Sequence, residues 1–222
     1  MQELRELRDG LWHWQAPHPE WSPDEPWPQV VSSTAIHDGS RLLLIDPLAV
    51  PEALLERAAD RVTMILLTAP WHERDTRGLV ERLGAPVFSP APDTAEDLMR
   101  KYGITREQAG DGSPDLNWLV ADDAATYRPY AAGDPLPGGI EALVGRESND
   151  VVLWVERLGA VISGDTLVDW GHGFEINRSL RDGVTREEVA DRLRPLLDRP
   201  VELVLSAHGA PTDRAALERA LA

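Results

Sequence analysis

Residues 160–167 read AVISGDTL: an apolar run that suits a buried strand, then a glycine, then an aspartate just past the strand's end. The same punctuation recurs along the chain. LLLIDPL at 42–48 ends its run in Asp46, and MILLTAPWHERD at 64–75 carries His72, Glu73 and Asp75 just beyond another run. LVLSAHGAP at 203–211 places His208 after the last one. Polar groups one or two residues beyond strand ends converge on one edge of a layered α/β fold, where such folds bind ligands. Singly, each has a plain structural use, as a turn former, a cap or a satisfied turn histidine. The order and spacing of all four carry the argument.

The intervening segments alternate between strand and helix patterns. VVSSTAI, a turn at His37-Asp38-Gly39-Ser40 and RLLLID form a hairpin signal. Residues 51–60 pattern as a helix opened by Pro51, 62–68 as a strand, 76–83 as a helix stopped by Gly84, and 86–89 as a short strand. Residues 90–125 are polar, with two short helical patterns, one opened by a capping box from Thr105 to Gln108; they read as a lid or an ordered excursion. Strands resume at 126–130, 140–144, 151–155 and 160–163, followed by an amphipathic helix from Thr185 to about 197, a strand at 203–205 and a helix capped by Asp213. Two such halves stack as a helix–sheet–sheet–helix sandwich, an α/β fold of αββα type. Trp12, Trp14, Trp21 and Trp27 are interleaved with Pro17, Pro19, Pro23, Pro26 and Pro28. Because proline cannot ladder inside a sheet, residues 1–29 are expected as an extended arm whose indoles pack on a single body spanning 30–222. An aromatic wall beside a pocket is the alternative use of those indoles.

Composition narrows the function. The 222 residues carry 22 basic and 38 acidic side chains, a net charge of −16, with basic residues scattered along the chain. Such a surface repels nucleic-acid phosphates and anionic lipid, so neither is expected as a partner. No apolar run approaches the ~20 residues of a membrane span, and the charged start carries no secretory signal, so a cytoplasmic location is expected. The absence of cysteine excludes disulfides, thiolate metal sites and a thiol nucleophile. The single lysine, Lys101, leaves little scope for Schiff-base or P-loop chemistry.

With LLLIDPL, ISGDTL and SAHG in that order, the chain resembles the metallo-β-lactamase superfamily from Val30 to His208. Among its subgroups it is similar to small glyoxalase-like hydrolases, being too short for the inserted domain of nucleic-acid-processing members. The resemblance implies an αββα four-layer sandwich and a dinuclear, usually zinc, site with a bridging hydroxide attacking an ester, thioester, amide or phosphodiester. It also shows departures. Against the family's T-H-x-H-x-D-H, residues 68–74 put Ala69 and Trp71 at the first two histidine positions, Glu73 at the aspartate and Arg74 at the last histidine. In VGRESNDVVL, Arg146 falls at a further histidine position. Neither Ala, Trp nor a permanently protonated Arg ligates zinc, so a dinuclear centre is not expected. On this register the two guanidinium groups would point into the cavity and pair with Asp165 and Glu73.

Sliding the second element by one residue, with a turn at Pro70 absorbing the extra length, brings His72 and Asp75 to ligand positions. With Asp165 and His208 they make two imidazoles and two carboxylates, adequate for one zinc, manganese or iron ion; Glu73 is a substitute ligand. The expectation is a site without metal, with that single ion as the alternative. The resemblance thus implies a remodelled hydrolase acting on a small anionic ester or thioester. His72, Asp165 and His208 are its catalytic candidates, with Trp71, Arg74, Arg146 and His172 on the substrate. Asp46 is expected to orient the second-element loop by hydrogen bonds. The alternative is a metal-free, inactive relative that binds a small anion or a protein partner, including a second copy in a homodimer.

Overall fold

In the computed structural model, which describes residues 3–122 and 126–222, the apolar runs of the sequence become strands buried on both faces. Seven strands form the first sheet in sequence order: β1 (Arg5–Arg8), β2 (Leu11–Pro17), β3 (Val30–Asp38), β4 (Arg41–Ile45), β5 (Val62–Leu66), β6 (Val87–Pro90) and β7 (Tyr127–Tyr130). Pairing is antiparallel from β1 to β4 and parallel from β4 to β7. The second sheet is built from β8 (Glu141–Glu147), β9 (Asp150–Val155), β10 (Ala160–Ser163), β13 (Leu203–Ser206) and β14 (Thr212–Asp213), and a two-stranded ribbon from β11 (Leu167–Val168) and β12 (Glu175–Ile176).

Side-chain alternation sorts these strands into layers. On β4, Leu43 and Ile45 face inward with Val151, Leu153 and Ile162 of the other sheet. Leu42 and Leu44 face outward onto α1 (Glu52–Ala58) and α2 (Thr76–Leu83). Three short helices follow in the excursion: α3 (Ala95–Tyr102), α4 (Arg106–Ala109) and α5 (Asn117–Asp122). Across the molecule, Val152, Trp154 and Val161 pack on α6 (Arg186–Leu193) and α7 (Arg214–Ala220). The result is the αββα four-layer sandwich, with runs such as RLLLI and DVVLWV continuously apolar because both faces are covered.

The expected arm is corrected over its first part. Arg5–Arg8 and Leu11–Pro17 belong to the first sheet, where Leu11 joins the core between the sheets while Trp12 and Trp14 join the helix-side core. The prolines that argued against a strand all fall at position 17 or later, and β2 ends there. Only residues 18–29 form an irregular loop, and Trp27 from that loop packs against Ala16, Val31 and Leu48. The excursion is ordered around its caps. Thr94 and Thr105 each close a capping box, and buried Lys101 reaches Asp93 and Glu147 at 2.6 Å each. Residues 1, 2 and 123–125, which fall within the expected arm and excursion, lie outside the described residues.

Candidate functional site

Four strand ends meet at one edge of the sandwich. Asp46 follows β4 and turns back on the next strand: its Oδ1 accepts the Thr68 backbone N–H at 2.8 Å and its Oδ2 accepts the Thr68 hydroxyl at 2.6 Å. A single 3-10 turn, Pro70–His72, then rotates the His72 ring inward, where its Nδ1 lies 2.9 Å from Asp46 Oδ2. Asp46 and Arg74 are both held at φ 45, a left-handed conformation that costs a non-glycine residue about 1 kcal/mol or more.

The other side of the His72 ring faces Asp165. Its Nε2 is 3.3 Å from Asp165 Oδ1, and His208 Nε2 is 3.2 Å from the same oxygen. These contacts are longer than the 2.7–2.9 Å of a charge-assisted hydrogen bond, and Asp165 Oδ1 is buried with no hydrogen-bond partner among the described residues. The second oxygen is fully engaged: Oδ2 accepts Trp71 Nε1–H at 2.9 Å and lies 3.3 Å from Arg146 Nη2. Among the described residues His208 Nδ1 has no hydrogen-bond partner; its ring is flanked edge-on by Trp27 and Trp170. Beneath them, Ser32 N–H donates to Ala207 O and the Ser32 hydroxyl to Gly209 O, which ties the His208 loop to β3.

The electrostatics follow from this packing. Burial alone would lower the His72 pKa, but the charges of Asp46 and Asp165 overcome it and raise it to about 9. Burial would raise Asp165, yet His72 and His208 hold it well below the usual carboxylate range. Asp46 is likewise lowered, chiefly by His72, against its burial. A cavity of about 190 Å³ opens on the cluster, walled by His18, Trp27, Trp71, Arg74 and Trp170.

His72, Asp165 and His208 offer three ligand atoms that all lie within 4.8 Å of one another, the one such group among the described residues. The 3.2 and 3.3 Å separations match the edge of a tetrahedron with bonds of about 2.0 Å, as zinc makes to nitrogen and oxygen. Asp46 on the far nitrogen of His72 is the carboxylate support such ligands ordinarily have. The donor set, with a buried carboxylate oxygen that makes no hydrogen bond among the described residues, therefore fits a single divalent ion.

Other expected residues lie elsewhere. Asp75 turns to the Ala49 backbone N–H, away from the cluster. Glu73 accepts from the Leu116 N–H at 3.0 Å and from the Trp118 indole, and so anchors the excursion. Neither joins the three ligand atoms. Of the two guanidinium groups expected on Asp165 and Glu73, Arg146 does reach Asp165. Arg74 instead donates from Nη1 to the carbonyl oxygens of Ser32 and Asp46 at 2.8 and 2.6 Å. His172 is exposed on the loop after β11, outside the cavity wall, whereas neighbouring Trp170 lines it. Trp27, from the loop at 18–29, takes the alternative use of the indoles as an aromatic wall beside a pocket, whereas His18 of the same loop carries no sequence signal for the site.

The likeness to solved structures runs along nearly the whole chain. A metallo-β-lactamase from Pontibacter korlensis is 15% identical, with 100% of this chain and 97% of that one covered and a TM-score of 0.63. The metallo-β-lactamase DIM-1 is 13% identical over 99% and 94% of the two chains, TM-score 0.63. FIM-1 from Pseudomonas aeruginosa, in its mono-zinc form, is 11% identical over 99% and 93%, TM-score 0.63. The chain has the metallo-β-lactamase fold. No protein-family model and no curated protein matches its sequence.

Proposed function

We propose that this chain is a hydrolase of metallo-β-lactamase fold that works with one divalent metal ion, held by His72, Asp165 and His208, on a small anionic ester or thioester. The observation that carries this reading is Asp165 Oδ1, buried without a hydrogen bond among the described residues, with the Nε2 atoms of His72 and His208 converging on it at 3.3 and 3.2 Å. When bound, such an ion lowers the pKa of a water to about 7 and polarises a substrate carbonyl. The chain's own groups do the rest. Asp46 fixes His72 so that Nε2 faces the cluster, and Trp71 and Arg146 hold Asp165 by its other oxygen. Arg74 engages protein acceptors through Nη1 alone among the described residues, which leaves Nε and Nη2 for a substrate carboxylate or phosphate. Trp27, Trp71 and Trp170 cover the apolar part of a ligand and exclude water. The small cavity and the net charge of −16 favour a small molecule over nucleic acid or membrane, and a cysteine-free chain suits the cytoplasm. No helix among the described residues is long and apolar enough to cross a membrane.

One contact favours a second reading. Arg146 Nη2, a fixed cation 3.3 Å from Asp165, already supplies part of the charge an ion would bring, as suits a metal-free anion-binding relative. Metal content by plasma mass spectrometry, on tag-free protein purified without chelator, separates the two. Near-stoichiometric zinc, manganese or iron that is lost in His208→Ala, with turnover of activated small esters or thioesters lost in parallel, supports the hydrolase. Metal far below stoichiometry after reconstitution overturns it.

A further inference from the structure

On the far side of Arg146 from the His–Asp–His cluster lies a separate cavity of about 440 Å³. Its wall carries Arg100, Lys101, Arg146, Arg181 and Arg192. Only Glu147 and Asp182 oppose them there. In a chain whose acidic residues outnumber the basic by 38 to 22, that concentration runs against composition.

Most of these cations are already compensated. Lys101 is held by Asp93 and Glu147, Arg146 by Asp150 at 2.7 Å and by Asp165, and Arg100 by Asp97 and Asp182. Two are less so. Arg192 donates to the carbonyl oxygens of Gly145 and Arg146, at 2.9 and 3.4 Å, and makes no close ion pair among the described residues, although its charge acts on Glu188 one turn away. Arg181 lies over the Tyr102 ring at 4.4 Å and reaches Glu147 Oε1 only at 4.0 Å, while the other oxygen of that carboxylate holds Lys101 at 2.6 Å. Two half-buried guanidinium groups therefore face a cavity with N–H donors to spare, and a planar fork of donors is matched by carboxylate or phosphate oxygens.

We infer that this cavity is a second binding site, for a small phosphorylated molecule, with Arg181 and Arg192 gripping its phosphate. Its size suits a ligand larger than phosphate alone. The inference does not depend on a metal at the first site.

The test is calorimetric titration of inorganic phosphate and of pyrophosphate into the full-length, EDTA-treated protein at low ionic strength, with chloride of matched ionic strength as the control. Saturable pyrophosphate binding is expected, weakened about tenfold or more in Arg181→Gln and in Arg192→Gln. It should be unchanged in Arg77→Gln, a change at an exposed helical arginine far from the cavity. Circular dichroism confirms that each variant is folded. No binding at millimolar pyrophosphate overturns the inference. So does binding that Arg74→Gln abolishes while Arg181→Gln and Arg192→Gln spare it, since the anion would then occupy the first cavity.

Discussion

Asp46 and His72 meet carboxylate to imidazole, Oδ2 to Nδ1 at 2.9 Å, with both residues buried. The same carboxylate holds the Thr68 backbone and hydroxyl, so one side chain sets the start of the loop and the orientation of the ring that the loop delivers. Because Nδ1 is committed to Asp46, only Nε2 remains to face Asp165.

Asp46→Asn tests that arrangement. The amide oxygen still accepts from Thr68, but the carboxylate that fixes the ring and raises its basicity is gone. The variant is expected to fold and to bind zinc about 10–100-fold more weakly, as measured by competition with a chromogenic chelator. An unchanged affinity would show that His72 is oriented by packing alone.

Gly164 explains why ISGDTL needs its glycine. A Cβ there would sit 2.3 Å from Thr68 Oγ1 and 3.1 Å from His72 Cε1. Gly164→Ala is therefore expected to push the His72 loop away from Asp165, lowering stability by about 1–3 kcal/mol in urea unfolding and reducing metal content. Wild-type stability in this variant would mean that the loop has slack the packing does not show.

The layers were legible wherever both faces of a strand are covered, because RLLLI and DVVLWV then admit few other readings. The first two strands were hidden by their neighbours: prolines at 17–28 weighed against residues 5–17, where none occurs before position 17. At the site, Asp165 and His208 follow their strands directly, and chain order was enough to bring them together. The shifted register paired His72 with Asp75; the 3-10 turn at Pro70–His72 brings His72 to the cluster and leaves Asp75 out of it, so neither register is reproduced as a whole. The same turn sends Glu73 and Asp75 outward, which no spacing rule reveals. His18 comes from a loop with no periodicity, so only the fold could bring it to the site, and for Trp27 the sequence left anchoring and a pocket wall as open alternatives.

His13 gives the chain an acid weakness remote from the site. It is buried in β2, its Nε2 has no hydrogen-bond partner among the described residues, and burial, reinforced by Arg5, lowers its pKa to about 4. Unfolding frees it to take a proton near 6.5, so the unfolded state binds more protons between those values and stability falls as pH drops from about 6.5 to 4. The full effect is of order 3 kcal/mol. His13→Leu should flatten this part of the profile, read as a smaller loss of melting temperature between pH 7 and pH 5 than in the wild type. Parallel profiles would place the weakness elsewhere.

Arg146 and Asp150 offer the sharpest test of how the site is held. The pair is 2.7 Å apart, with the Asp150 side chain fully buried, and burial together with Asp165 pushes the Asp150 pKa up against the pull of Arg146. Removing the guanidinium leaves Asp150 without its cation in a poorly solvated interior and takes one of several partners from Asp165, so Arg146→Met should cost about 3–5 kcal/mol in urea unfolding. Adding Asp150→Asn removes one stranded charge, and the double variant should be more stable than Arg146→Met alone. The exposed pair Arg77–Glu81 is the comparison, because solvent screens it and its loss should cost less than about 1 kcal/mol. If Arg146→Met costs no more than Arg77→Met, then Asp150 is protonated beside it at neutral pH. Asp165 would in that case rely on Trp71 and the two histidines for its position.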